Sequence, residues 1–155
     1  MKKTLSYIFA TWFGIGYFPI ASGTAGSLAA LPLAFAAAYF FGAGGLLALT
    51  AAVYIVGTTA TREVLKYSGP DPSIVVIDEV AGQMLTTLPI ANFLDWNHLW
   101  LWPAAFLLFR LFDITKPQPA AWIDKNIMNA HGVMLDDVVA GIYGAAALLV
   151  ISYKL

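Results

Sequence analysis

From Thr4 to Thr61 the chain runs for 58 residues without one charged side chain. A soluble domain carries roughly 25% charged residues, so a gap of that length limits the solutions to a helix or helices that face lipid or lie fully buried. The whole sequence agrees: 60% of its 155 residues are apolar and 11% are charged. This is a membrane-class composition. Lys2 and Lys3 followed by an apolar run open the chain as a signal peptide would, but further apolar runs follow, which predicts a retained polytopic protein.

The length matches a single domain, 1–155. With no cysteine there is no disulfide framework, no thiolate metal site and no cysteine nucleophile. A net charge of −1 gives no footprint for nucleic acid. The predicted class is all-α, a helical membrane bundle of about four to five short spans.

Cutting the apolar runs at charges and at Gly or Pro gives five segments, roughly Leu28–Phe41, Leu46–Thr61, Val80–Leu94, Leu99–Phe112 and Val138–Tyr153. Each falls short of the ~20 residues an upright helix needs to cross a bilayer. Gly42-Ala43-Gly44-Gly45 and Asp95-Trp96-Asn97-His98 read as hairpin turns between antiparallel helices. Cytoplasmic loops keep Lys and Arg. With the N-terminus inside, Lys2, Lys3, Arg62, Lys66, Arg110, Lys116 and Lys125 share the cytoplasmic face and Lys154 alone lies outside. Trp96, Trp100 and Trp102 are then expected at the opposite interface.

In that topology Asp78, Glu79, Asp113, Asp136 and Asp137 return to one face, although they lie up to 59 positions apart. Ile77-Asp78-Glu79-Val80-Ala81-Gly82 and Leu135-Asp136-Asp137-Val138-Val139-Ala140-Gly141 each place two acids just before a span and a glycine shortly after. The simpler reading is capping and dipole chemistry at two helix starts. The alternative is one shared site, with the glycines allowing close backbone approach. Clustered carboxylate oxygens suit a hard cation such as Mg²⁺ and repel one another without it.

Arg110, Asp113 and Lys116 recur every three residues before Pro117, which ends their helix. They read either as an Arg110–Asp113 ion pair with Lys116 snorkelling, or as a phosphate site with an arginine fork and a lysine point charge. Ser22-Gly23-Thr24-Ala25-Gly26-Ser27, at a helix start, is either a turn and cap or an anion cradle to which Thr24 and Ser27 contribute. His98, on the far side with Asp95, and His131, on the cytoplasmic side, are expected to be interfacial or structural rather than catalytic.

The strings GTAGSLAALP (23–32), VIDEVAG (76–82), FRLFDITKPQP (109–119) and HGVMLDDVVAG (131–141) together resemble the bacterial phosphatidylglycerophosphatase A family. A Gly-Gly pair is usual there where this chain has Asn129-Ala130. The resemblance implies an inner-membrane, Mg²⁺-dependent phosphatase that removes the terminal phosphate of phosphatidylglycerophosphate from the cytoplasmic side. For such a substrate, charge leads to the expectation that Asp78, Glu79, Asp136 and Asp137 hold Mg²⁺ while Arg110 and Lys116 bind phosphate oxygens. Asp113, Asp137 and Arg110 are the expected catalytic residues, with Asp113 a ligand, a base or a nucleophile.

Charge is consistent with a metal. Five site acids against Arg110 and Lys116 leave −3, which repels a phosphate dianion; one Mg²⁺ leaves −1 and two leave +1. Asp113-Ile114-Thr115 lacks the second aspartate of a D-x-D phosphatase, and no S-G-H string offers a histidine nucleophile. Two other readings are a small ion or proton transporter, whose charges should lie near mid-bilayer, and a non-enzymatic membrane subunit that uses the acids only as caps.

Overall fold

A computed structural model describes residues 3–69 and 72–153, so Lys2 and Lys154 lie outside the described residues. Among the described residues the secondary structure is helical, with no strand. α1 (Lys3–Ala10) leads through a 3₁₀ turn to α2 (Ser22–Ser68). α3 (Ile77–Thr86), a second 3₁₀ turn at Leu88–Ile90, α4 (Leu101–Thr115), α5 (Ala120–Asn126) and α6 (Ala130–Ser152) follow.

α2 is folded double. Gly42 leaves helical geometry with φ 65° and ψ −169°, a left-handed φ that glycine adopts without steric cost. The consequence shows at Gly26 and Gly57: a Cβ on the first would meet Val76 and on the second Ile77. In one straight helix these glycines would stand about 46 Å apart, so the chain reverses at Gly42, within the predicted glycine connection.

α3 is the central element and packs against both α2 and α6. Ile77, Val80, Ala81, Gln83 and Met84 are all buried. The predicted third segment, Val80–Leu94, is therefore shorter than expected and mostly enclosed by protein. Thr87 closes the helix by donating its hydroxyl to Met84 O at 2.7 Å, and Pro89, which has no N–H, stands in the 3₁₀ turn that follows.

Outside this core the bundle is apolar. Leu107, Leu111 and Ile114 are exposed along one side of α4, Ile142, Leu149 and Val150 on α6, and Leu28, Leu47 and Ile55 on α2. Exposed apolar side chains on three helices are in keeping with membrane association. Among the described residues, α2 and α6 are the two helices long and apolar enough to cross a membrane. Thr50 and Thr58 satisfy their hydroxyls inside α2 by donating to Leu46 O and Tyr54 O, as polar side chains in an apolar setting require.

The far end of the bundle carries the second predicted turn. Asp95 accepts from Asn97 N at 3.0 Å and pairs with His98 Nδ1 at 2.7 Å, so His98 is structural as expected. Trp96 and Trp100 are exposed. Trp102 is not at an interface: it is buried edge-to-face on Phe35 and donates to Phe93 O, because its polar N–H finds a carbonyl inside the bundle.

Candidate active site

Asp78 and Glu79 occupy the first turn of α3, where the helix dipole favours negative charge. Asp78 Oδ1 accepts from Glu79 N at 3.0 Å. Asp136 and Asp137 are placed differently from the expectation. α6 begins at Ala130 and its cap is Asn129, whose side chain accepts from His131 N and Gly132 N. The two aspartates therefore lie well inside the helix rather than just before it. Capping cannot account for them, and the simpler reading of the two acid pairs fails for this one.

The predicted role of the glycines holds. A Cβ on Gly141 would stand 2.6 Å from Gly82 O, and one on Gly82 would stand 2.6 Å from Asp137 O. Each glycine follows an acid by four residues, one helical turn. The crossing of α3 and α6 thus sets Asp78 and Asp137 side by side, and Thr86 Oγ1, bonded to Gly82 O at 3.0 Å and Gly141 O at 3.3 Å, fastens it.

Asp78, Glu79 and Asp137 each offer a carboxylate oxygen within 4.8 Å of the others. They line a cavity of about 430 Å³ together with Asp113, Lys116, Asp124, Asp136, Ser22 and Ser73. Burial raises the Asp78 carboxyl above its ordinary range, and burial with the adjacent Asp78 and Asp113 charges pushes Glu79 well above its own. Glu79 Oε2 is buried without a partner. Three converging carboxylates with an unbonded oxygen form the hard-oxygen donor set that suits Mg²⁺, so the residues fit a divalent cation.

Asp136, also expected as a ligand, stands apart from this trio. Its Oδ2 receives Lys116 Nζ at 2.7 Å, while Oδ1 is buried and unbonded. Lys116 also donates to Asp124 at 2.7 Å. Burial opposes its charge, but these two carboxylates outweigh that and hold its pKa above the ordinary lysine value. Lys116 caps α4 with a left-handed φ of 42°, so it turns off the helix toward α6 instead of continuing the Arg110–Asp113 face.

Arg110 Nη1 bonds Asp113 Oδ2 at 2.5 Å, and Arg110 Nε is buried without a partner. The arginine is not among the residues lining the cavity. It lies behind Asp113, close to Gly23, where a Cβ would overlap Glu79 Oε1 and come 3.5 Å from Arg110 Nη1. The ion pair in the simpler reading is present, and it engages one arm of the guanidinium, Nη1, with Asp113.

The start of α2 reaches the site through Ser22, whose hydroxyl donates to Ser73 O at 2.7 Å, and not through the two residues expected. Ser27 is buried with its hydroxyl on Gly23 O, and Thr24 is not part of the cavity wall. Two residues of the cavity wall, Asp124 and Ser73, and one buried amide, Gln83, escaped the sequence reading. Asp124 sits beyond the Pro117–Pro119 turn, eight positions after the lysine it meets. Ser73 shows no motif. Gln83, four residues after Glu79, is fully buried with neither end of its amide bonded; an amide inside an apolar run was the available signal.

The same end of the bundle gathers the expected bases. Lys3 lies over the Tyr67 ring at 3.9 Å, Arg62 Nη2 is 3.3 Å from His131 Nε2, and Lys116 reaches Asp136. The bundle and its cavity define an all-helical, membrane-associated protein with a carboxylate-lined site at one end.

The sequence model of the phosphatidylglycerophosphatase A family matches residues 8–152. Phosphatidylglycerophosphatase A of Escherichia coli is 33% identical over 95% of this chain and 83% of its own length. The Haemophilus influenzae protein of the same name is 34% identical over 95% and 88%. A Bacteroides thetaiotaomicron protein, named provisionally as a phosphatidylinositol-3-phosphatase, is 38% identical over 90% and 88%. No solved structure matches the chain. The chain belongs to the phosphatidylglycerophosphatase A family and is a phosphatase.

Proposed function

We propose that this phosphatase hydrolyses the terminal monoester of phosphatidylglycerophosphate to phosphatidylglycerol and phosphate, with Mg²⁺ held by Asp78, Glu79 and Asp137. The observation that carries the reading is the carboxylate trio with its unbonded Glu79 oxygen, facing a cavity that also presents Asp113 and Lys116. Bound Mg²⁺ supplies neutralisation of the phosphoryl oxygens and a lowered pKa for attacking water.

The remaining roles fall to the chain. Lys116 has three donors, two of them spent on Asp124 and Asp136, and the third binds a phosphate oxygen. Arg110 fixes Asp113 through Oδ2, which leaves Oδ1 to take the proton of the attacking water. Asp136 positions Lys116.

The basic end faces the cytoplasm, in keeping with the distribution of Lys and Arg, and opens on the inner leaflet of the inner membrane. The two arms of α2 and α6 cross, the 15-residue α4 is embedded beside them, and α3 is enclosed among these helices. A transporter would keep its charges at mid-bilayer; these stand at helix ends or within the first turns of α6.

The test is phosphate release from phosphatidylglycerophosphate by detergent-purified protein, with Mg²⁺ or EDTA, beside Asp137→Asn. Phosphatidylinositol 3-phosphate serves as the competing monoester, since a relative's name points to it. Mg²⁺-dependent turnover that Asp137→Asn abolishes is expected. Turnover indifferent to EDTA, or preference for the inositol lipid, overturns the metal or the substrate assignment respectively.

A further inference from the structure

The acidic cavity has little positive charge to spare. Lys116 is shared by two carboxylates and Arg110 is held by Asp113. A lipid that carries a terminal monoester and a phosphodiester brings a second anion, and this must find cations elsewhere.

A second cleft of about 460 Å³ adjoins the first, and Met128 lines both. Its walls include Arg62, Lys66 and His131. Arg62 has no carboxylate partner among the described residues and contacts His131 Nε2 through Nη2 only, at 3.3 Å. The α6 terminus is already served, because Asn129 Oδ1 accepts from His131 N and Gly132 N. The positive character of the cleft therefore resides in side chains.

We infer that this cleft is a second phosphate site, which holds the phosphodiester of the lipid whose terminal monoester occupies the acidic cavity. This rests on the reading given under Proposed function. A phosphodiester carries one charge on two equivalent non-bridging oxygens, which a guanidinium can take as a fork. Lys66, although paired with Glu63 at 2.6 Å, adds a mobile point charge at the rim. Met128, largely exposed between the two cavities, would lie under the glycerol that links the two phosphates.

The test reads binding without turnover. Dihexanoyl phosphatidylglycerol, which has the diester and no monoester, is titrated into detergent-solubilised full-length protein by calorimetry, with inorganic phosphate as competitor. Arg62→Gln should weaken lipid binding about tenfold, the worth of one charge-assisted hydrogen bond. Lys66→Gln should weaken it less, and Arg62→Lys should restore part of the loss. On phosphatidylglycerophosphate the Arg62→Gln defect should fall on KM rather than kcat.

Unchanged lipid binding in Arg62→Gln overturns the site. So does displacement of the lipid by equimolar inorganic phosphate, which would make the cleft a free-anion site. Wild-type protein that binds dihexanoyl phosphatidylglycerol through Arg62 yet releases no phosphate would refute the phosphatase substrate while leaving the diester site in place.

Discussion

Gly82 and Gly141 meet backbone to backbone, so closely that a Cβ on either would stand 2.6 Å from a carbonyl oxygen of the opposite helix. The separation of α3 and α6 at this point fixes how near Asp78 and Asp137 can come. Gly141→Ala forces the helices apart, at a cost of about 1–3 kcal/mol for overpacking, and should lower activity at least tenfold together with the thermal midpoint. Gly44→Ala is the control: a Cβ there meets nothing within 4 Å, and alanine favours a helix over glycine by up to about 1 kcal/mol. Phosphate release and thermal unfolding in detergent check both variants.

Metal should stabilise the protein through the same carboxylates. Saturating Mg²⁺ is expected to raise the unfolding midpoint of the wild type, since a ligand bound at a hundred times its Kd adds about 2.7 kcal/mol. In Asp137→Asn the rise should be much smaller. Equal rises in the two proteins would remove Asp137 from the metal site.

The raised carboxyls of Asp78 and Glu79 set the pH response of the metal-free protein. An acid whose folded pKa exceeds its unfolded value binds its proton more tightly when folded. Its contribution is fully favourable below the unfolded value, near 4, and is lost as pH rises through the folded value. The midpoint measured in EDTA should therefore fall as pH is raised above about 4, and Mg²⁺ should flatten the slope. A midpoint in EDTA that climbs with pH would contradict the arrangement.

Lys116 bridges Asp124 and Asp136, and removing it leaves the buried Asp136 without a cation. Lys116→Met should destabilise by about 1–3 kcal/mol, toward the lower figure because the lysine is partly solvated and its interactions are screened. Adding Asp136→Asn to Lys116→Met should recover part of that stability without restoring activity. A double-mutant cycle on the unfolding midpoint and on kcat decides it.

Gln83 is costly to the fold, because neither end of its buried amide is bonded. Gln83→Met keeps the length, removes the unsatisfied amide, and should raise the midpoint by an equivalent of about 1–3 kcal/mol. A lower midpoint instead would show that the amide has a bonded partner in the working enzyme.

Several levels of this architecture were readable from residue order. A 58-residue uncharged run and the glycines at 42–45 predict a helical hairpin, because lipid-facing backbone must bond internally and only glycine turns so sharply without steric cost. The return of Asp78, Asp113, Asp136 and Asp137 to one cavity follows from counting reversals. The Asp95–His98 turn follows from a short polar break between two apolar runs.

Other features depend on distances between helices that are remote in sequence. Arg110 and Lys116 both read as cations for a phosphate, a fork and a point charge; Asp113 pairs with the first, and the left-handed turn at Lys116 aims the second at α6. Ser27 reads like a cradle hydroxyl, yet packing buries it and its proton goes to Gly23 O. Sequence periodicity determines which face of each helix is apolar and which acids share an end. Whether a polar side chain is free to act is decided by the neighbours that reach it first, and only the packed structure places those neighbours.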